Sequence, residues 1–281
     1  MGKYFKLLRL DDQYIEFIAA LSGGIFIHAR SVHIFLWALS TVCLGISVYM
    51  TNELADRRDA DRFTWNPAAH ITMSTRLDMR VVGVLFASFS LIGLGMSWVL
   101  GYFWWGLAIW FIGICYSLPP IRLKGRVVVD IASQLFAGWV GPFLAPVWAI
   151  TNHWVTLVFV IIISLLIGVG IFPYQLADIE ADAKAGLRGT HVVLGLRRSL
   201  WLGFAIGAVG GILYLLFLAR LWLWTIPMFI PIMIVMVYYV YWLRMSTATK
   251  QLASLRRWVK IFKPVSLIIF PLYIACIWWF V

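Results

Sequence analysis

Apolar runs of about 18–25 residues recur along the whole chain, separated by short polar stretches. Each is long enough to cross a hydrocarbon layer of about 30 Å as a helix rising about 1.5 Å per residue. Nine such runs are expected, near 13–29, 33–51, 79–99, 101–117, 127–150, 154–176, 199–219, 221–243 and 262–281. The first is the weakest, because Glu16 falls inside it. The pattern predicts an all-α, polytopic membrane protein with about nine transmembrane helices, read as a single domain over 1–281.

Composition agrees. The chain is 63% hydrophobic with a mean hydropathy of +0.91, against about 45–50% apolar residues in soluble domains. No cleavable signal peptide is expected, since Asp11, Asp12 and Glu16 interrupt the first apolar stretch.

The net charge of +11 could suggest nucleic acid, but its distribution points elsewhere. With nine spans and the N-terminus inside, 21 of the 23 basic residues fall on cytoplasmic segments, leaving Arg30 and Arg220 outside. That asymmetry is the positive-inside pattern. It makes the positive balance a matter of topology and of contact with anionic membrane lipids, not of nucleic-acid binding.

Cys43, Cys115 and Cys276 lie in separate apolar runs and read as small buried hydrophobes. The five histidines are scattered and form no transition-metal pattern. Most of the 16 tryptophans, such as Trp104-Trp105 and Trp222, sit near run ends, where an interfacial aromatic belt belongs. The segment from Arg244 to Lys263 is basic, with Leu252, Leu255, Trp258 and Val259 interspersed, and reads as an amphipathic helix on the membrane surface.

The polar chemistry is concentrated in the loops after runs 2, 4 and 6. Asn52-Glu53-Leu54-Ala55-Asp56-Arg57-Arg58-Asp59-Ala60-Asp61 and Asp178-Ile179-Glu180-Ala181-Asp182 hold seven of the twelve acidic residues. A carboxylate at bilayer depth costs roughly 2.5–3.5 kcal/mol on insertion scales, so acids beside spanning helices tend to be functional. Asn52 and Asp56, like Asp178 and Asp182, are four apart and share a helix face. Such pairs offer oxygen ligands to a hard cation such as Mg²⁺, which takes few carboxylates and completes its shell with water and phosphate oxygens. Arg122 and Lys124, in the middle loop Tyr116-Ser117-Leu118-Pro119-Pro120-Ile121-Arg122-Leu123-Lys124, suit the remaining phosphate charge. Together these parts describe a diphosphate site at the mouth of a helical bundle. The plain alternative is solvated loop acids balanced by Arg57, Arg58, Lys184 and Arg188.

The three segments resemble the signatures of the UbiA superfamily of intramembrane prenyltransferases. The resemblance is carried by Asn52-x-x-x-Asp56, by the middle loop from Tyr116 to Lys124, and by Asp178-x-x-x-Asp182 with its trailing Gly186, Gly189-Thr190 and Leu194-Gly195. It covers nearly the whole chain. It implies a horseshoe of helices around a central cavity that opens to the cytoplasm and sideways to lipid. It further implies Mg²⁺ as cofactor, and transfer of a prenyl group from a prenyl diphosphate to a lipophilic or aromatic acceptor.

Carried over by position, Asn52, Asp56, Asp178 and Asp182 are the expected metal–diphosphate residues, and Tyr116, Arg122 and Lys124 fall in the loop that caps the diphosphate. Asp56, Asp182, Lys124, Arg122 and Tyr116 are the catalytic candidates. Tyr174, Gln175, Lys184 and Arg188 join Asn52, Arg122 and Lys124 as substrate-binding candidates.

Three positions depart from the family pattern. Ala60 stands where another aspartate is usual, Gln175 stands where an earlier aspartate is often found, and Asn66-Pro67 is followed by Ala68. On a helical wheel of about 100° per residue, Asp59 falls within the stripe of Asn52 and Asp56, and Asp61 falls on the opposite side. Asp59 is therefore expected to complete the first metal motif, unless the helix has already unwound. Two other readings stay open: a terpene cyclase on the same scaffold, needing no acceptor, and a membrane carrier.

Overall fold

The computed structural model describes residues 2–10, 13–27, 32–57, 63, 77–149, 154–217 and 226–262. Those residues are mostly helical, joined by turns and short irregular stretches, with no strand among them. In chain order the helices are α1 (Gly2–Leu7), α2 (Tyr14–Phe26), α3 (Val32–Asp56), α4 (Met79–Val99), α5 (Phe103–Ser117), α6 (Val129–Leu135), α7 (Gly141–Trp148), α8 (Trp154–Ala177), α9 (Ile179–Lys184), α10 (Thr190–Leu194), α11 (Leu196–Phe217) and α12 (Ile226–Arg244). A further helix, α13, covers residues 248–262. The first eight expected spans correspond to α2, α3, α4, α5, the α6–α7 pair, α8, α11 and α12. The ninth lies outside the described residues. Four helices are long and apolar enough to cross a membrane by themselves: Val32–Asp56, Met79–Val99, Thr156–Ala177 and Leu196–Leu216.

One expected span is not a simple helix. Between α6 and α7 the chain makes a π turn over Phe136–Val140. Pro142 has no N–H to give to the carbonyl of Gly138, so the regular ladder cannot continue there. Pro146, inside α7, likewise leaves the Pro142 carbonyl without its helical donor. Trp37 of α3 supplies one: its Nε1 donates to Pro142 O at 2.9 Å, and the side chain is fully buried. This tryptophan is a strut between helices and not part of an interfacial belt.

Small residues let the helices approach closely. A Cβ on Gly23 of α2 would lie 2.3 Å from the backbone oxygen of Phe143 in α7. Ser40 of α3 and Ser97 of α4 both donate to Gly93 O at 2.8 Å. Within a bilayer such packing and interhelical hydrogen bonds replace the hydrophobic drive of soluble proteins.

Three packed regions result, one of them joining α1, α3 and α4 through Leu7, Ile46, Met50 and Val82. A second gathers α2, α7 and parts of α3 and α8 around Trp37, Phe143 and Phe159. The third joins α8, α11 and α12 to α13 through Tyr239, Trp242, Leu255 and Trp258. The amphipathic helix expected near 244–263 is therefore present as α13, with its apolar face docked on the bundle. Trp258 stacks on Phe262 at 4.3 Å and meets Trp242 edge-on at 5.7 Å. Arg256 of α13 donates to Ala177 O at 3.0 Å, capping the C-terminal end of α8, and pairs with Glu180 at 2.9 Å.

Candidate diphosphate site

The C-terminal ends of α3, α5 and α8 meet the N-terminal end of α6 on one face of the bundle. The loop after α5 turns there at Leu118-Pro119-Pro120, whose restricted φ ends the helix. It then passes through Arg122, at φ +41°, into a short 3₁₀ turn over Leu123–Gly125. A non-glycine residue in the left-handed region stores strain that the surroundings must hold, a common feature of functional loops. The consequence here is that Lys124 points inward, 8% exposed.

Lys124 is the centre of the site. Its ammonium forms an ion pair with Asp56 at the end of α3. Burial lowers the ammonium to about 8, opposed by the charge of Asp182. One lysine therefore sits in the fields of both acidic motifs. Asn52, one turn before Asp56, accepts a hydrogen bond from Ser117 Oγ at 2.5 Å.

The second motif is held by a chain of polar groups. Asp182 Oδ2 lies 2.9 Å from His191 Nε2, and His191 Nδ1 lies 3.9 Å from Asp130 Oδ2. Asp130, in the first turn of α6 and 1% exposed, accepts from Thr190 N at 2.6 Å and from Thr190 Oγ1 at 2.5 Å. Thr190 Oγ1 in turn accepts from Val128 N at 2.7 Å. Asp130 thus caps the start of α10 from another segment, a placement the helix dipole favours.

The trailing glycines of the second motif now have physical reasons. A Cβ on Gly189 would lie 2.8 Å from both Asp130 Oδ2 and Lys124 O, and Gly186 and Gly195 both take φ +75°. The motif is the device by which one loop stacks on the other.

The remaining candidates divide. Tyr116 lies beside Gln175, close enough to Asp182 and Asp130 to sense their charge. Gln175 donates to Gln134 Oε1 at 2.7 Å. Tyr174 packs edge-on against Trp258 of α13, 6.2 Å between rings. Asp178 precedes α9, and its carbonyl accepts from Asp182 N at 2.9 Å. Lys184 and Arg188 are exposed on the same loop. Asp59 and Asp61 lie outside the described residues, as do Ala60 and Asn66-Pro67-Ala68.

Sequence reasoning missed Asp130, His191, Ser117 and Gln134. Asp130 had a readable signal, because an acid inside an apolar span is functional by default. His191 had none beyond its place next to Thr190.

The donor set suits a hard divalent cation: carboxylates and an amide oxygen, with a phosphate-binding cation beside them. Among the described residues, no three histidine, cysteine or acidic side chains come together as a metal cage.

Fold and site define a helical membrane protein with a polar centre of carboxylates around a buried lysine at the end of an apolar bundle. Residues 17–263 match the UbiA prenyltransferase family. The chain belongs to that family. No curated protein matches the chain. Among solved structures, a UbiA homologue from Archaeoglobus fulgidus bound to DMAPP and Mg²⁺ is similar with a TM-score of 0.74, 22% identity and 98% of each chain covered. The same homologue bound to GPP and Mg²⁺ gives 0.73 and 23%, again over 98% of each chain. A UbiA homologue from Aeropyrum pernix K1 gives 0.69 and 17%, over 93% of this chain and 98% of the other. At these identities the likeness establishes a shared fold.

Proposed function

We propose that this protein transfers a prenyl group from a prenyl diphosphate to a lipophilic or aromatic acceptor, with Mg²⁺ as cofactor and the site facing the cytoplasm. The observation that carries the reading is the buried Lys124, ion-paired with Asp56 of the first acidic motif and close enough to Asp182 of the second to sense its charge. Membership of the prenyltransferase family and neighbours bound to DMAPP or GPP with Mg²⁺ support it.

Asn52, Asp56, Asp178 and Asp182, with Asp59, would hold the metal, which supplies charge to the departing diphosphate. Lys124 and Arg122 bind phosphate oxygens through charge-assisted hydrogen bonds. The allylic C–O bond breaks with its electron pair going to the diphosphate, and these cations stabilise the charge that develops. The acceptor supplies the electron pair for the new bond and releases a proton. Apolar walls keep water from the allylic cation. His191 and Asp130 act through Asp182, which they hold in place as outer partners of metal ligands do.

The test is product mass from purified protein with Mg²⁺ and prenyl diphosphates of several lengths, with and without a membrane extract as acceptor source. A prenylated product that appears only with extract is expected. A cyclised hydrocarbon formed without it would replace transfer by cyclisation, and no Mg²⁺-dependent turnover in either arm would remove the reading.

A further inference from the structure

A second polar centre lies deeper in the bundle, and the diphosphate chemistry does not use it. Gln13 and Glu16 belong to the first expected span, yet they are only 2% and 6% exposed. Gln13 precedes α2, and Glu16 lies in its first turn. Both side chains face α3 at Gly45: a Cβ there would lie 2.1 Å from Gln13 Oε1 and 3.7 Å from the Glu16 carboxyl carbon. Neither polar atom of the Gln13 amide has a hydrogen-bond partner among the described residues. Leaving a buried amide unsatisfied is costly, so its persistence asks for a ligand.

The second observation concerns the π turn. A Cβ on Gly138 would lie 3.9 Å from Glu16 Oε1, and beyond the local helix backbone no other atom of the described residues lies within 4 Å of it. The carboxylate therefore borders open space beside an irregular turn, the kind of helix defect that often marks functional positions.

The placement of this centre ties it to the diphosphate site. On α3, Gly45, Asn52 and Asp56 fall within about 40° of one another on the helical wheel, and Gly45 lies about 10 Å below Asn52. On the other wall Asp130, Gln134 and Gly138 follow at four-residue steps from the diphosphate end downward. The same two faces thus carry the diphosphate residues at one end and the Gln13–Glu16 pair at the other.

We propose that Glu16 and Gln13 form the acceptor subsite, which takes a neutral acceptor through a hydroxyl or N–H group. The inference rests on the transferase reading above. A carboxylate beside a carboxamide offers acceptors to such a donor, and its charge excludes acceptors that carry a carboxylate or phosphate at that end. Glu16 is then a specificity-determining residue: it orients the acceptor so that its other end meets the allylic carbon below the diphosphate.

The test uses the full chain in lipid nanodiscs with Mg²⁺ and geranyl S-thiolodiphosphate, a substrate analogue that resists cleavage. Binding of three probes of one shape is measured by calorimetry: 1-naphthol, 1-methoxynaphthalene and 1-naphthoate. In the wild type, 1-naphthol is expected to bind at least 10-fold more tightly than either other probe. Glu16→Leu is expected to erase the preference for 1-naphthol over 1-methoxynaphthalene. Glu16→Gln, which keeps shape and hydrogen bonding, is expected to admit 1-naphthoate at least 10-fold better. Equal binding of 1-naphthol and 1-methoxynaphthalene by the wild type would overturn the proposal. So would an unchanged preference in Glu16→Leu, or continued exclusion of 1-naphthoate by Glu16→Gln. A wild type that fails to bind geranyl S-thiolodiphosphate would instead overturn the transferase reading.

Discussion

Lys124 stands where two acidic motifs need a positive charge, and the residue-scale predictions follow from it. Asp56→Ala and Asp182→Ala each leave Lys124 with one carboxylate fewer and remove an expected metal ligand. Both are expected to lower turnover by several orders of magnitude, and chelation with EDTA is expected to abolish it; full turnover in EDTA would remove the metal from the mechanism. Lys124→Ala removes a charge-assisted contact of about 1.5–3 kcal/mol, so prenyl diphosphate binding should weaken roughly 10–100-fold. His191→Ala acts differently, because it loosens Asp182 without removing it. The Mg²⁺ concentration for half-maximal rate is expected to rise about 10–100-fold while the rate at saturating Mg²⁺ largely recovers. Asp59→Ala is expected to impair turnover and Asp61→Ala to spare it, on the helical-stripe reasoning; kinetics of the two variants show the reverse if the helix has unwound there.

Among the elements, the crossing of α2 and α7 is the most sensitive to volume. Gly23 meets the backbone of Phe143 and the ring of Pro146, and backbone cannot move aside as a flexible side chain can. Gly23→Val is expected to push the helices apart at a cost of about 1–3 kcal/mol, the usual penalty for overpacking. A lowered thermal midpoint in detergent would record it, and an unchanged midpoint would mean that α2 is free to shift. The Arg256–Glu180 pair is a contrasting case. Glu180 is largely exposed, so Glu180→Ala should change stability by less than about 1 kcal/mol.

For the whole molecule, topology is the testable property. The loops bearing Asp56, Lys124 and Asp182 belong to the same end of the bundle, as the two crossings between each loop and the next require. Cysteine labelling of intact cells at positions in these three loops is expected to give cytoplasmic protection for all, with a reporter at the C-terminus on the outside. Labelling of one loop from outside would break the shared-face arrangement and the 21-to-2 charge assignment together.

Much was legible in the sequence because apolar length and charge asymmetry are local properties that lipid reads directly. The spans now seen as α3, α4, α8 and α11 needed no tertiary information, and neither did the pairing of acids at four-residue spacing. Asp56, Lys124 and Asp182 stand out because ionisable side chains beside apolar runs are costly and few, and Asn52 because it lies one helical turn from Asp56. What only the tertiary structure decided is who meets whom. Asp130 and His191 join Asp182 across separate loops, Trp37 satisfies a carbonyl freed by a proline in another helix, and Tyr174 turns toward α13 while Gln175 faces Gln134. The π turn and the Gln13–Glu16 centre belong to the same class. Their meaning depends on contacts between residues far apart in sequence, where periodicity carries no signal and packing alone selects the partner.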